Sequence, residues 1–247
     1  FLPGVTLLSA AMAKAWARGW SPHNFTLDNF RFILFEHPTT PGAILNSFMF
    51  STAAATAAVL IAFFAAYIAN RRLVRGGWML GYIAMMPYVI PGIVLAIGFL
   101  AAYARPPFAL YGTAWIMIFA FTSRFLPIAY ANSDAALKNI HPELEDAARI
   151  SGAGRFVTLA EVTLPLIKRG ILGGWLLVLI AGLRELSTAI FLFSANTKVM
   201  STVMIDLSEE GDFERLAALG VIMFVLTLGL VLIGYAIVGQ RILTRTE

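Results

Sequence analysis

Five stretches of this chain, residues 42–70, 76–104, 107–133, 168–193 and 216–240, are apolar over lengths that match the thickness of a bilayer. A helix needs about 20 predominantly apolar residues to cross roughly 30 Å of hydrocarbon, and an isolated span must be helical because lipid satisfies no backbone group. The runs therefore predict an all-α integral membrane protein with five full spans. The first, second and fifth carry no charge, Arg124 lies late in the third, and Arg184 and Glu185 interrupt the fourth. Composition agrees: 59% of residues are hydrophobic and 13% charged, against about 45–50% and about 25% in soluble domains.

Several function classes fall away. With no cysteine there is neither a disulfide framework nor a thiolate metal site. The three histidines, His23, His37 and His141, fall in different predicted loops and give no ligand spacing. The net charge of +4 is spread among loops rather than gathered on one element, which argues against nucleic acid. No glycine-rich loop is followed by Lys-Ser or Lys-Thr, so the sequence carries no phosphate-cradling site of its own. Residues 1–17 are apolar without a basic flank ahead of them, unlike a secretory signal. They read as the outer end of a partial N-terminal span whose beginning lies outside this sequence, which would make residues 1–247 one permease domain or half of a longer one.

Orientation follows from the basic residues, which stay on the cytoplasmic side in short loops. Arg71, Arg72 and Arg75 separate the first two spans, and alternation then puts residues 134–169 and the tail with Arg241 and Arg245 in the cytoplasm. The segments 18–41, 104–107 and 194–215 fall outside, the last one acidic through Asp206, Glu209, Glu210, Asp212 and Glu214. That acidic segment is either a docking surface for an external protein or a solvated face. Leu27, Phe30 and Leu34 recur at helical spacing after a possible Thr26 cap, which predicts a short outer helix. The run of small residues from Ser51 to Ala58 permits close helix packing.

The informative polar island is residues 143–165. His141-Pro142-Glu143-Leu144-Glu145-Asp146 reads as a helix start, with proline in the first turn and carboxylates at the positive end of the macrodipole. Ala147 and Ala148 keep that helix slim, Gly152 or Gly154 can end it in a left-handed turn, and Arg149 and Arg155 remain for ion pairs. Pro165 restarts the chain toward the fourth span. The order acidic-Ala-Ala, three residues, Gly, nine residues, aliphatic-x-Leu-Pro falls on Asp146, Ala147, Ala148, Gly152, Val162, Leu164 and Pro165. It resembles the cytoplasmic "EAA" loop of binding-protein-dependent ABC importer permeases. One departure is Asp146, where that family usually has Glu, although Glu145 stands one position earlier.

The resemblance implies a type I ABC importer permease-like helical bundle in a bacterial inner membrane, with residues 134–165 as the coupling loop. It implies that Glu145, Asp146, Ala147, Ala148, Arg149, Gly152 and Pro165 serve coupling to a cytoplasmic ATPase dimer, on which ATP and Mg are held; this chain would bind no cofactor. It also implies a second permease half, the same or a homologous chain, and a periplasmic solute-binding protein. The bland alternative is a loop helix that only connects two spans.

Two further places stand out. Pro87-Tyr88-Val89-Ile90-Pro91-Gly92 removes two backbone donors one turn apart, so the second span must kink or break, either lining a pathway or tolerated by its neighbours. Arg184 and Glu185 point about 100° apart on a helix and serve either a pathway gate or ion pairs that pin spans together. Residues 183–193 and 210–220 are similar to the ferric-iron branch of the family, which implies iron(III) as solute. Polyamine, phosphonate, sulfate and thiamine branches are the alternatives. A stand-alone secondary transporter would need ionisable relays in several spans, and a membrane scaffold would need no partner ATPase.

Overall fold

The computed structural model describes residues 2–19 and 21–238, the side chain of Val238 excepted. Among these residues, four helices are long and apolar enough to span a membrane, and a bent pair makes a fifth. The basic tail at Arg241 and Arg245 lies outside the described residues.

A short apolar helix, α1 (Leu2–Ala11), leads into an outer layer of tight turns and α2 (Asp28–Arg31). The expected outer helix thus appears as α2, extended by a wide turn to Glu36. Thr26 Oγ accepts from the Asp28 N–H at 3.1 Å in a local turn, but the residue flanking α2 is Leu27 and no side chain caps the helix, so the expected Thr26 cap does not form. Asn29 Nδ2 then donates to the free carbonyls of Ala11 and Ala13 at the end of α1, at 2.9 and 2.8 Å. The first full span, α3 (Thr40–Asn70), follows. Its partners are α4 (Met79–Val89), α5 (Gly92–Tyr103), α6 (Ala114–Lys138), α7 (Pro142–Ile150), α8 (Arg155–Thr158), α9 (Leu164–Leu183), α10 (Ala189–Leu192), α11 (Met200–Glu209) and α12 (Phe213–Val238).

The core is α3, α6 and α9, drawn together by small residues. Ala54, Ala55, Ala58, Ala62 and Ala66 of α3 are buried. A Cβ on Gly170 or Gly174 would stand 2.9 Å from Ala136 Cβ or 2.8 Å from Asn132 Cβ, and one on Gly182 would stand 2.8 Å from Ser51 Oγ. With no water-driven force between helices in lipid, such backbone approach supplies the dispersion contacts that hold them. α1 and α11 pack on α12, whose opposite apolar face stays open to lipid.

Two predicted boundaries are corrected. The third span is α6, shifted inward from 107–133, and the fourth runs as one continuous helix over Arg155–Leu183 rather than 168–193. Helices continue past the hydrocarbon because their backbone bonds are internally satisfied; hydropathy marks the bilayer, not the helix end. Pro165 stands in the first turn of α9. A wide turn over Leu159–Thr163 changes the hydrogen-bond register, with Leu164 N–H reaching Leu159 O, and Pro165, which has no N–H, sits at that change. At the other end, two adjacent charges stop the apolar helix at Leu183, so Arg184 and Glu185 lie in the exit turn and not within a span.

The acidic outer segment is folded as well. α11 buries Met200, Val203 and Leu207; Asp206 pairs with Lys198, Asp212 pairs with Arg215 at 2.8 Å, and Glu214 accepts the Trp16 N–H at 2.6 Å. Only Glu209 and Glu210 are left exposed and unpaired among the five acids named above.

Candidate coupling site and the broken span

At one end of the bundle the C-termini of α3 and α6, the wide turn before α9 and the helix α7 meet. Pro142 opens α7 from an extended His141, with Glu143 and Glu145 in the first turn. The helix closes through Ser151 with Gly152 at φ +94°. Ala153 N–H returns to Ala148 O at 3.0 Å and Gly152 N–H to Arg149 O at 3.0 Å, the two bonds of a Schellman stop. Gly152, not Gly154, makes the left-handed turn, and a Cβ there would meet no atom within 4 Å. The backbone conformation, not space, requires glycine.

Glu145 and Asp146 have opposite environments. Glu145 is 7% exposed and turned toward the spans. Its Oε1 accepts from Arg71 Nε at 3.0 Å and from Thr163 Oγ at 2.9 Å, and Tyr67 OH lies 3.5 Å from Oε2. Arg71 Nη2 is also 2.9 Å from Oε1 but off the hydrogen-bonding line, so that contact is purely coulombic. One carboxylate thus ties α7 to the end of α3 and to the wide turn that leads into α9. Asp146 is exposed, with its nearest cation, Arg149 Nη1, at 3.8 Å.

At 100° per residue, Glu143, Ala147 and Ile150 fall on the side opposite Glu145. All three are exposed, Ile150 by 88%, and Phe156 beside them by 81%. Ala148 is half-buried, and Pro165 lies exposed at the start of α9. The result is a thin helix held from behind, with the small methyl group of Ala147 at the centre of an outer face that also carries Glu143 and Ile150. A partner surface can approach such a face closely, and exposed apolar area of this kind marks an interaction site.

The second site lies at the bent pair, where α4 and α5 meet at 106°. The break falls at Ile90-Pro91, while Pro87 remains inside α4. Tyr88 is 74% exposed on the open side. The structure brings the two predicted pathway groups together: a Cβ on Gly92 would stand 2.9 Å from Ser187 Cβ and 3.4 Å from Glu185 Oε1. Glu185 Oε1 accepts from Thr188 N and Oγ at 2.8 and 3.0 Å, while Arg184 is exposed. Glu185 and Arg184 form no ion pair among the described residues. Sequence reasoning passed over Arg124, whose Nη1 donates to the Ile90 carbonyl at 3.0 Å. Its signal was a cation inside an otherwise apolar span.

Over residues 38–244 the chain matches the family described as "Binding-protein-dependent transport system inner membrane component". It belongs to that family. The permease is 26% identical over 228 residues to the putative 2-aminoethylphosphonate transport system permease protein PhnV of Salmonella paratyphi A, covering 92% of this chain and 85% of that protein. It is 25% identical over 228 residues to the ferric transport system permease protein FbpB of Actinobacillus pleuropneumoniae, covering 91% of this chain but 33% of that longer protein. In fold it is similar to a chain of the bacterial alginate ABC transporter crystallised with alginate pentasaccharide-bound periplasmic protein. That match has a TM-score of 0.74 and 19% identity, and covers 99% of this chain and 89% of the other. An inward-facing MetNI methionine ABC transporter gives a TM-score of 0.68 at 14% identity over 84% of this chain and 95% of the other. The permease is thus an inner-membrane subunit of an ABC importer. The relatives do not separate iron(III) from phosphonate.

Proposed function

We propose that the permease moves a solute, delivered by a periplasmic binding protein, into the cytoplasm, driven by ATP hydrolysed with Mg on a cytoplasmic ATPase dimer that docks on α7. A second permease half, the same chain or a homologous one, completes the pathway. The carrying observation is the two-sided build of α7: Glu145 anchored inward to Arg71 and Thr163, Ala147 and Ile150 presented outward. Asp146 and Arg149 supply exposed charges at the edge of that face, and Gly152 fixes where it ends. Ferric ion and 2-aminoethylphosphonate, the solutes named for its relatives, are the candidate cargoes.

The test is co-purification of the tagged permease with its ATPase, followed by ATPase stimulation on adding loaded binding protein. Ala147→Trp leaves every intramolecular contact of α7 in place while filling the outer face. Loss of the ATPase with the spans still inserted supports the reading. Full association and full stimulation with that variant would refute it.

A further inference from the structure

Arg124 lies near mid-depth of α6, ten residues from Ala114, or about 15 Å at 1.5 Å per residue. It makes no ion pair among the described residues. One of its five N–H donors is used, on the Ile90 carbonyl at 3.0 Å. Ile90 belongs to the non-helical step between α4 and α5, and the adjacent Tyr88 and Val89 are 74% and 82% exposed.

Lipid tolerates neither an uncompensated guanidinium nor irregular backbone at membrane depth; each belongs against protein or a water-filled cavity. Both occur at one spot, on a wall that the rest of the chain leaves open. We propose that Arg124 faces the solute path and contacts the cargo, so that the permease passes an anionic solute, of the phosphonate class rather than a bare ferric ion. This rests on the importer reading above.

The donor inventory favours that charge. A hard trivalent cation wants several oxygen ligands, and no group of three or more His, Asp or Glu is assembled among the described residues. The carboxylate at the break, Glu185, has Oε1 engaged by Thr188 behind Gly92. A cation would meet the guanidinium and this single committed carboxylate. An anion would meet free guanidinium donors, and a charge-assisted bond is stronger than a neutral one.

The experiment uses the assembled permease–ATPase complex in proteoliposomes with its binding protein, offering labelled 2-aminoethylphosphonate and labelled ferric ion in parallel. Arg124→Gln keeps a polar amide at this position and removes the charge. Phosphonate uptake should fall about 10-fold or more, with binding-protein-stimulated ATP hydrolysis within about two-fold of wild type, and Arg124→Lys should recover part of the uptake. Unchanged uptake in Arg124→Gln, uptake of ferric ion and not phosphonate, or a parallel fall of uptake and ATPase would each overturn the assignment. A wild-type complex whose ATPase ignores the binding protein would instead sink the importer reading itself.

Discussion

Removing the Glu145 carboxylate should release α7 from the spans without unfolding them. In Glu145→Ala, Arg71, whose side chain is 11% exposed, loses its counter-charge, and the fully buried Thr163 hydroxyl loses its acceptor. Breaking a buried pair by deleting one partner costs about 3–5 kcal/mol, and an orphaned hydroxyl adds about 1–3. Beside the pair lies a cavity of about 350 Å³ lined by Arg72, Arg149 and Arg155, through which water can reach the freed guanidinium. That relief brings the cost to the lower end, about 3 kcal/mol, or about 150-fold in the attachment equilibrium. Amide hydrogen exchange in lipid nanodiscs reads it directly: residues 143–150 should exchange about 100-fold faster, with α6 unchanged. Arg71→Met combined with Glu145→Leu replaces both charges by apolar groups and should recover most of the protection. Wild-type exchange in Glu145→Ala, or acceleration spread evenly over α3, α6 and α9, would refute the anchoring argument.

Gly152→Ala should cost about 1–2 kcal/mol from the left-handed backbone alone, since no atom opposes the new methyl; the loss should appear as fraying of the end of α7 by hydrogen exchange. Gly182→Ala is a steric case, with Ser51 Oγ at 2.8 Å and Ser51 Cβ at 3.0 Å, and should lower the unfolding midpoint in denaturant by an amount worth about 1–3 kcal/mol. Ser51→Ala alone should be neutral or stabilising in the same assay, because that buried hydroxyl has no hydrogen-bond partner. On the outer side, burial pushes the His37 imidazole below its usual 6.5, with Arg215 and Lys198 adding to the shift against the carboxylates of Glu210 and Asp206. Its neutral Nδ1 accepts the Thr40 N–H at 3.2 Å at the start of α3. The folded value lies below the unfolded one, so this contribution is complete above pH 6.5 and is lost as pH falls through the folded value. A melting series from pH 7.5 downward should show a decline below 6.5 that His37→Gln lacks.

The spans and their order were legible because lipid imposes length and apolarity on any helix that crosses it. The break at Pro91 was legible too, since a missing donor and a fixed φ are local facts. What the chain does not announce locally is which of two adjacent acids turns inward. Glu145 wins because Arg71 arrives from 74 positions away and Thr163 from 18; Asp146 has no such visitor and stays in water. The same holds for Arg124, whose carbonyl partner lies 34 positions earlier. The end of the fourth span was misplaced for a different reason: residues 186–193 are apolar enough for a span, yet the charges of Arg184 and Glu185 turn the chain out of the helix before they are reached.

These contacts define a mechanical route. α7 is bonded to α3 through Arg71, and the chain from Arg155 to Leu183 runs into α9 without a break. α9 in turn meets α6 at Gly170 and Gly174 and α3 at Gly182, each with less room than one methyl group. Close-packed interfaces transmit displacement instead of absorbing it, so a push on α7 moves α3, α6 and α9 together. The α4–α5 pair meets α6 through Gly81 against Tyr130 and Arg124 against Ile90, and its two halves share no continuous hydrogen-bond ladder. Bending there breaks no helical bond. A displacement of α7 would therefore be taken up at the broken span, the same place where the free guanidinium stands.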